Sequence, residues 1–311
     1  MRVVFMGSPD FALPCLDKLL QSPYQVTAVV TQPDRPKGRG KKLTFTPVKE
    51  KALEKGIPVL QPEKINNPEF IEKLKTMAPD VFVVVAFGQI LKQELLNLPA
   101  LGCINVHASL LPKYRGAAPI HWAIINGEKE TGVTTMFMDQ GMDTGDMILK
   151  KRIPIGEEDT TGLIHDKLAE AGGELLIETL ELLLNKKVPR ETQDHELATY
   201  APILTREHEL IDWTKTDREV HNLVRGMNPW PGAYTTFENK IVKIWEAKVI
   251  EDVSEEAKPG TVLSVVNGEG ICVKCGQGAL LVSLLQPQGK QAMAGDAWAR
   301  GARFKKGSTL G

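Results

Sequence analysis

The apolar run at positions 81–87, Val-Phe-Val-Val-Val-Ala-Phe, is the feature that most constrains how this chain can fold. A strand with one face in water alternates apolar and polar side chains, whereas this run is apolar throughout. It must therefore be covered on both faces, which is typical of a parallel sheet with helices on each side. We expect Val81–Phe87 to be an inner strand of an α/β domain.

Strands and helices alternate along the chain as far as residue 189. Leucines recur at helical spacing after the first glycine turn and again, over a longer stretch, near residue 170. This alternation predicts an open, mostly parallel, doubly wound (Rossmann-like) domain. The predicted strands are Val3–Met6, Val26–Val30, Val81–Phe87, Cys103–His107 and Val133–Met138, and the predicted helices are Asp10–Leu20, Pro47–Lys55, Pro68–Met77 and Thr160–Leu184.

The pattern changes beyond residue 189. A polar, aperiodic stretch over 190–206 is interpreted as a linker between a first domain, 1–189, and a second domain, 207–311. In the second domain one helix, Asp217–Arg225, is followed by short strands separated by glycine turns, which predicts a small β-barrel of the OB type. These strands are predicted at Ala233–Phe237, Ile241–Ala247, Gly260–Val266, Gly270–Cys275 and Ala279–Leu285.

Charge and cysteine content exclude several classes of protein. The net charge of −1 is unlike that of a protein that coats nucleic acid over most of its surface, so any such contact must be local. The 4 cysteines are too few for a disulfide framework, and Cys272 and Cys275 lie three apart on a predicted strand, so they face opposite ways and do not indicate a metal site. The amino terminus is typical of a core strand rather than a signal peptide, and no apolar window is long enough to span a membrane. We expect a cytoplasmic protein.

Polar side chains gather where predicted strands end. Asn105 and His107 are two apart on one strand, so they share a face, and both could donate hydrogen bonds to one developing oxyanion. Asp143 lies in a loop after another strand, and the glycines around it let that loop turn back across the sheet edge. Taken alone, such an Asn-x-His pair is more often a capping or packing pair, and such an aspartate more often a turn former.

Two longer motifs change that balance. The stretch 105–120, Asn-Val-His-Ala-Ser-Leu-Leu-Pro-Lys-Tyr-Arg-Gly-Ala-Ala-Pro-Ile, followed by 138–146, Met-Asp-Gln-Gly-Met-Asp-Thr-Gly-Asp, resembles the folate-dependent formyltransferases. The resemblance runs nearly end to end, through 5–11, 31–43 and 228–233, and is strongest to the members that act on tRNA. It implies that 10-formyltetrahydrofolate is the formyl donor and that the acceptor is the amino group of initiator methionyl-tRNA. It implies neither a metal nor a covalent enzyme intermediate.

The same resemblance implies a role for each site residue. Asn105 and His107 match the pair that stabilises the oxyanion. Asp143 matches the acid, which as a carboxylate favours the charged form of His107 and can accept the proton of the amine. The segment Ser109, Leu110, Leu111 and Pro112 matches the folate-binding segment, whose apolar wall suits a flat pterin ring.

A basic insert, residues 34–49, is the predicted tRNA contact of the first domain. The resemblance assigns Arg39 to the acceptor stem, and Pro33, Pro36, Gly38 and Gly40 are expected to keep the start of the insert out of regular structure. The second domain is expected to support the tRNA backbone, and a monomer is expected because a partner of this size needs open surface. The predicted tRNA contacts are Arg35, Lys37, Arg39, Lys41, Lys42, Arg303 and Lys305.

Two other interpretations of the sequence remain open. The chain could formylate a free small amine, although such a substrate does not require the basic insert. It could also be an RNA-binding module without catalytic activity, in which Asn105, His107 and Asp143 are structural. Formyl transfer to charged tRNA, compared with free amines, separates these interpretations.

Overall fold

A computed structural model describes residues 1–37, 42–250, 256–302 and 307–311, with the side chains of Lys37 and Lys42 left out. Two short 3-10 helices, Asp10–Ala12 and His195–Leu197, accompany the elements named below. The helices are α1 (Leu13–Gln21), α2 (Pro47–Glu54), α3 (Pro68–Thr76), α4 (Gln93–Leu96), α5 (Pro119–Ile125), α6 (Thr161–Leu184), α7 (Asp217–Gly226) and α8 (Gly295–Gly301). The strands are β1 (Arg2–Gly7), β2 (Gln25–Val30), β3 (Arg35–Lys37), β4 (Lys42–Thr44), β5 (Val59–Leu60), β6 (Val81–Val85), β7 (Cys103–His107), β8 (Arg115–Gly116), β9 (Glu130–Phe137), β10 (Met147–Pro154), β11 (Tyr200–Ala201), β12 (Tyr234–Phe237), β13 (Lys240–Ile250), β14 (Val262–Val266), β15 (Gly270–Lys274), β16 (Ala279–Pro287) and β17 (Met293–Ala294).

The chain forms two compact units, each made of separate stretches of sequence. The first comprises 1–119, 130–154 and 165–201, and the second comprises 120–129, 155–164 and 202–311. Residues 190–201, which the sequence indicates as part of a linker, thus belong to the first unit. The domain boundaries at 189 and 207 stay a prediction. No helix of the described residues combines the length and the apolar content needed to cross a membrane.

The first unit is built on a seven-stranded sheet in the order β10-β9-β7-β6-β1-β2-β5. The strands from β7 to β5 run parallel, while β9 runs antiparallel to β7, and β10 antiparallel to β9. A mixed α/β unit with a mostly parallel sheet is therefore confirmed. Every residue of β6 is buried, as its unbroken apolar run predicts. The strand ends at Val85, earlier than predicted, because Ala86 adopts a left-handed φ of 48°.

The packing of β7 decides which way its polar side chains face. A Cβ built on Gly172 of α6 would lie 3.0 Å from Val106 Cγ1, so Val106 faces this helix at close range. Because side chains alternate along a strand, Asn105 and His107 face the other side of the sheet. The absence of a side chain at Gly172 lets the helix approach β7 this closely.

The second unit contains an antiparallel sheet in the order β12-β13-β16-β15-β14, with β17 paired to β16. All five strands predicted in this region are present, and the antiparallel β character is confirmed; β17 and α8 were not predicted. Cys272 packs in a small cluster with Leu263 and Ala279, whereas Cys275 packs in the main core with Trp213, as expected for opposite faces. Burial raises the pKa of the Cys275 thiol to about 12.

The basic insert begins with more regular structure than the sequence indicates. Strands β3 and β4 pair as a two-stranded antiparallel sheet, with Arg35 opposite Thr44. The expectation that Pro36 keeps this segment irregular is wrong, because each strand of a two-stranded sheet is an edge, where proline is tolerated. Arg39 and Lys41 lie outside the described residues, as do Arg303 and Lys305 of the second unit.

Candidate active site

His107 lies at the carboxyl end of β7, with 6% of its surface exposed. Its Nε2 is 3.0 Å from the carbonyl oxygen of Tyr114. A carbonyl can only accept a hydrogen bond, so Nε2 holds a proton. The other ring nitrogen, Nδ1, is 3.7 Å from Asp143 Oδ2. Both ring nitrogens therefore face oxygen acceptors, the Tyr114 carbonyl and the Asp143 carboxylate.

Asp143 reaches this place by an indirect route. Strand β9 runs antiparallel to β7. Its last residue, Phe137, is therefore opposite the beginning of β7, whereas His107 is at the end of β7. The loop that follows β9 turns back across the edge, as its glycines predict. Asp143 adopts a left-handed φ of 55° in this loop. A Cβ at Gly145 would overlap the carbonyl of Phe137, so the loop needs glycine there.

The Asp143 carboxylate faces three nitrogen atoms from two other segments. Gly116 N donates to its Oδ2 at 2.8 Å, and Asn105 Nδ2 lies 3.5 Å from its Oδ1. The Asn105 contact is at the outer limit for a hydrogen bond, and the 3.7 Å contact from His107 Nδ1 is beyond it. Only the Gly116 bond is short. Asn105 Nδ2 and His107 Nδ1 are therefore loosely held and can turn toward a reacting atom, as is common in ligand-free catalytic sites.

Gly116 can make its bond only because it is glycine. Its φ is 118°, in the region that favours glycine, and a Cβ there would lie 2.7 Å from the carbonyl oxygen of Ala201. The same carbonyl oxygen accepts hydrogen bonds from Ala117 N at 2.9 Å and Ala118 N at 3.2 Å. Strand β11 thus fixes the turn from which Gly116 N donates to Asp143.

Residues 191–201, which we call the strap, hold the loops of the site together. Glu191 and Met147 exchange two backbone hydrogen bonds of 2.9 Å. Thr199 accepts from Tyr114 N through its Oγ1 at 2.9 Å, and from Arg115 N through its carbonyl oxygen, also at 2.9 Å. The carbonyl that fixes His107 therefore belongs to a residue bonded by the strap.

The sequence did not predict that the strap contacts the site. The interpretation of this stretch as a linker rested on its polarity and lack of periodicity, and both properties are real. Its hydrogen bonds are made by isolated polar side chains and backbone groups, which leave no periodic signal. Tyr114 and Gly116 lie inside the long motif after His107, and this was the one signal that could have drawn attention to them.

Ser109 and Leu111 of the predicted folate segment are engaged in contacts with their own loop and with strands β9 and β10. Ser109 Oγ donates to the carbonyl oxygen of Lys113 at 2.6 Å, and the Ser109 carbonyl accepts from Thr134 Oγ1 at 2.7 Å. Leu111 is 2% exposed and packs with Met136 and Met147. Leu110 and Pro112 are half-buried. The folate roles of these residues stay a prediction.

The described part of the basic insert is less uniformly cationic than its composition indicates. Arg35 is exposed, but Lys49 Nζ pairs with Asp34 Oδ2 at 2.5 Å and lies 3.9 Å from the centre of the Phe45 ring. Hydrogen bonds from Lys49 and Gln61 hold the pKa of Asp34 below its usual value. Lys49 is thus engaged locally. Within the described residues, no group of three or more His, Cys, Asp or Glu is arranged to hold a metal ion.

Sequence comparison finds the same family over both parts of the chain. Residues 1–180 match the formyl transferase family and residues 203–303 match the formyl transferase C-terminal domain. A methionyl-tRNA formyltransferase from Desulforamulus reducens is 56% identical over 311 residues, covering 100% of this chain and 98% of the relative. The one from Bacillus subtilis is 53% identical, again over 100% of this chain and 98% of the relative.

Solved structures show the same fold at low sequence identity. A sugar 3N-formyltransferase, WlaRD, solved in the presence of dTDP and 5-N-formyl-THF, aligns with a TM-score of 0.67 at 20% identity, covering 94% of this chain and 99% of that one. HypX from Aquifex aeolicus, solved with tetrahydrofolic acid, aligns at 0.62 and 18% identity, with 96% of this chain spanning 47% of HypX. A methionyl-tRNA formyltransferase from Clostridium thermocellum aligns at 0.55 and 16% identity, covering 80% of this chain and 94% of that one. By the full-length identity of its relatives, the chain belongs to the formyl transferase family and, within it, to the methionyl-tRNA formyltransferases.

Proposed function

We propose that this chain transfers the formyl group of 10-formyltetrahydrofolate to the free amino group of methionine on initiator methionyl-tRNA, giving N-formylmethionyl-tRNA for translation initiation. Relatives more than half identical over their whole length bear the name of this activity. The observation that carries the chemistry is the convergence of Asn105, His107 and Gly116 on the carboxylate of Asp143. This arrangement places donors for a developing oxyanion next to a carboxylate that can accept a proton.

The first task of the site is to stabilise negative charge. When the amine attacks the formyl carbon, charge develops on the formyl oxygen. Asn105 Nδ2 and His107 Nδ1 are the donors on this face of the sheet, and each can turn from Asp143 toward that oxygen. An oxyanion donor of this kind is worth about 2.7–4 kcal/mol in transition-state energy.

The second task is to move a proton. The attacking nitrogen becomes cationic and has to lose a proton, while the leaving nitrogen of the folate has to gain one. The carboxylate of Asp143, fixed by Gly116 N, accepts the proton directly or through one water and returns it to the leaving group. General acid–base help of this kind is worth about 10²–10⁴ in rate. Holding both reactants in place supplies much of the remainder.

The binding partners belong to the same proposal. Ser109, Leu110, Leu111 and Pro112 form the wall for the pterin of the folate, with contact through Leu110, Pro112 and backbone groups, because Leu111 is buried. The second domain, as an OB-like barrel, supports the tRNA backbone. The enzyme acts as a cytoplasmic monomer without a metal. The tRNA contacts are Arg35, Lys37, Arg39, Lys41, Lys42, Arg303 and Lys305.

Formyl transfer by the purified protein tests the proposal. With 10-formyltetrahydrofolate as donor, we expect formylation of charged initiator tRNA and none of free amines. His107→Ala should lower turnover by about 10²–10³-fold or more, since it removes an oxyanion donor, yet still bind tRNA. Transfer to free amines alone would favour the small-amine interpretation. No transfer to any acceptor would favour an RNA-binding module.

A further inference from the structure

Arg115 is a buried cation without a carboxylate partner. It is 1% exposed, and no carboxylate of the described residues is within ion-pair distance of it. Burying a charge is costly unless the charge is well hydrogen-bonded. The guanidinium donates from Nε at 3.1 Å and from Nη2 at 2.7 Å to the same atom, Gln193 Oε1. Its Nη1 is 3.2 Å from His195 Nδ1, which must be the acceptor, since arginine only donates.

The two-pronged contact with Arg115 determines how the Gln193 amide is oriented. Its oxygen faces Arg115, so its Nε2 faces the other way, where it donates to the carbonyl oxygens of Asp143 at 2.7 Å and Gly145 at 2.8 Å. The reversed amide would place two donors against arginine and an acceptor against two carbonyls. Only one orientation therefore allows all four hydrogen bonds, two from Arg115 and two to the carbonyl oxygens. Arg115 thereby aims the amide at the backbone on either side of Thr144.

We infer that Arg115 and Gln193 are positioning residues, which hold the Asp143 loop in the conformation that catalysis requires. The inference rests on the proposed role of Asp143. A left-handed aspartate costs free energy and persists only where its surroundings fix it. Strand β8 fixes it twice, at the carboxylate through Gly116 N and at the backbone through Arg115 and Gln193. A displacement of about 1 Å at such a group can cost on the order of 10² in rate.

Two substitutions at Gln193 separate positioning from a purely structural role. Gln193→Glu keeps an acceptor for Arg115, now as an ion pair, but loses the donor to the two carbonyls. Gln193→Met removes both functions at similar volume. We expect each to lower kcat by about 10–100-fold with little change in KM for the folate. If Gln193 serves only to satisfy Arg115, Gln193→Glu will retain full turnover, and the inference is overturned.

Arg115→Lys tests whether Arg115 orients the Gln193 amide. It keeps the charge but presents one ammonium in place of the planar fork, so the amide is no longer aimed. We expect a fall in kcat of at least about tenfold, and unchanged turnover would remove Arg115 from the inference. Thr179→Val is the control for lost buried hydrogen bonds in the same unit, since the hydroxyls of Thr179 and Thr135 are 2.7 Å apart. Its kcat should stay within about twofold of the parent.

A double-mutant cycle with Asp143→Asn distinguishes this inference from the proposed function. If Gln193 acts through Asp143, adding Gln193→Glu to Asp143→Asn lowers kcat no further. A further fall equal to that of the single variant would overturn the inference. If Asp143→Asn alone stays within about tenfold of the parent, the proposed role of Asp143 fails. If it is inactive while both Gln193 variants are fully active, only the positioning role fails.

Discussion

Gly116 combines two properties that no other residue supplies together. Its left-handed φ of 118° brings its N–H to Asp143, and its missing side chain leaves room for the Ala201 carbonyl. Some turn glycines need only the first property. Gly268 is such a case, since it has a φ of 81° and a Cβ there would meet no atom within 4 Å.

The pair of glycines gives a matched test at the residue scale. We expect Gly116→Ala to lower kcat by about 10–100-fold, because the turn must shift away from Ala201 and take its N–H from Asp143. Gly268→Ala should cost about 1–2 kcal/mol of unfolding free energy from left-handed strain, and leave kcat unchanged. Steady-state kinetics and chemical denaturation measure the two effects. Equal kinetics for both variants would contradict the role of Gly116.

The sequence predicts some of the site residues and not others for a physical reason. Strand periodicity alone places Asn105 and His107 on one face, and the structure agrees. Asp143 could be linked to them only through the family motif, because its loop returns from the far edge of the sheet. Gln193 bonds a loop about 50 residues earlier in the chain, and a single amide at that separation leaves no pattern in the sequence.

Helix α7 has a well-capped N-terminus but buries a titratable side chain. It begins with a capping box, in which Thr216 and Glu219 satisfy each other's backbone N–H groups. Further along, His221 is 3% exposed, and its Nδ1 has no hydrogen-bond partner among the described residues. Burial lowers the pKa of His221 from 6.5, although Glu158, 3.4 Å from its Nε2, acts in the opposite direction.

The buried His221 predicts that the free energy of unfolding depends on pH. The unfolded chain protonates His221 near pH 6.5, whereas the folded chain does so only at lower pH. The unfolded state therefore binds more protons as pH falls below about 6.5, and stability declines there. His221→Leu should lose less stability than the parent between about pH 7.5 and 5.5, by denaturant unfolding at each pH. Equal losses in the two proteins would contradict the prediction.

Two different causes explain why the sequence failed to predict β10, α4 and α5. Strand β10 includes Lys150, Lys151 and Arg152 in succession, which masks its apolar character. Such charge suits a strand at the edge of a sheet, where it discourages pairing with another chain, and β10 is at the edge. The short α4 and α5 have too few turns for a helical period to show. Inner strands such as β6 can be predicted from the sequence, because burial on both faces requires apolar residues throughout.

At the scale of the whole molecule, a net charge of −1 has to be reconciled with a polyanionic partner. A nearly neutral protein that binds tRNA must concentrate its positive charge locally, and the basic insert is where the sequence does so. The sequence also indicates two kinds of architecture in the right order along the chain. It could not show that 120–129 and 155–164 group with the second unit, because unit membership depends on packing between distant segments.

The insert can be tested by its salt dependence. Arg35→Ala and Arg39→Ala should each raise KM for charged tRNA without changing KM for the folate. Each should also reduce the slope of log affinity against log salt by roughly one, if the side chain contacts a phosphate. Lys73→Ala, on the exposed face of α3, removes the same charge elsewhere and is the control. Three identical slopes would mean that the insert does not bind the tRNA backbone.

The strap also has a consequence for the order in which the site is completed. Asn105, His107 and Asp143 are all synthesised by position 143, yet Gln193 and Thr199, which bond the loops around them, are synthesised later. A ribosome must therefore add more than 50 residues after the last of the three proposed catalytic side chains before the strap can hold these loops. A fragment cut at residue 180, where the match to the first family region ends, would contain all three proposed catalytic residues and lack the strap that holds their loops.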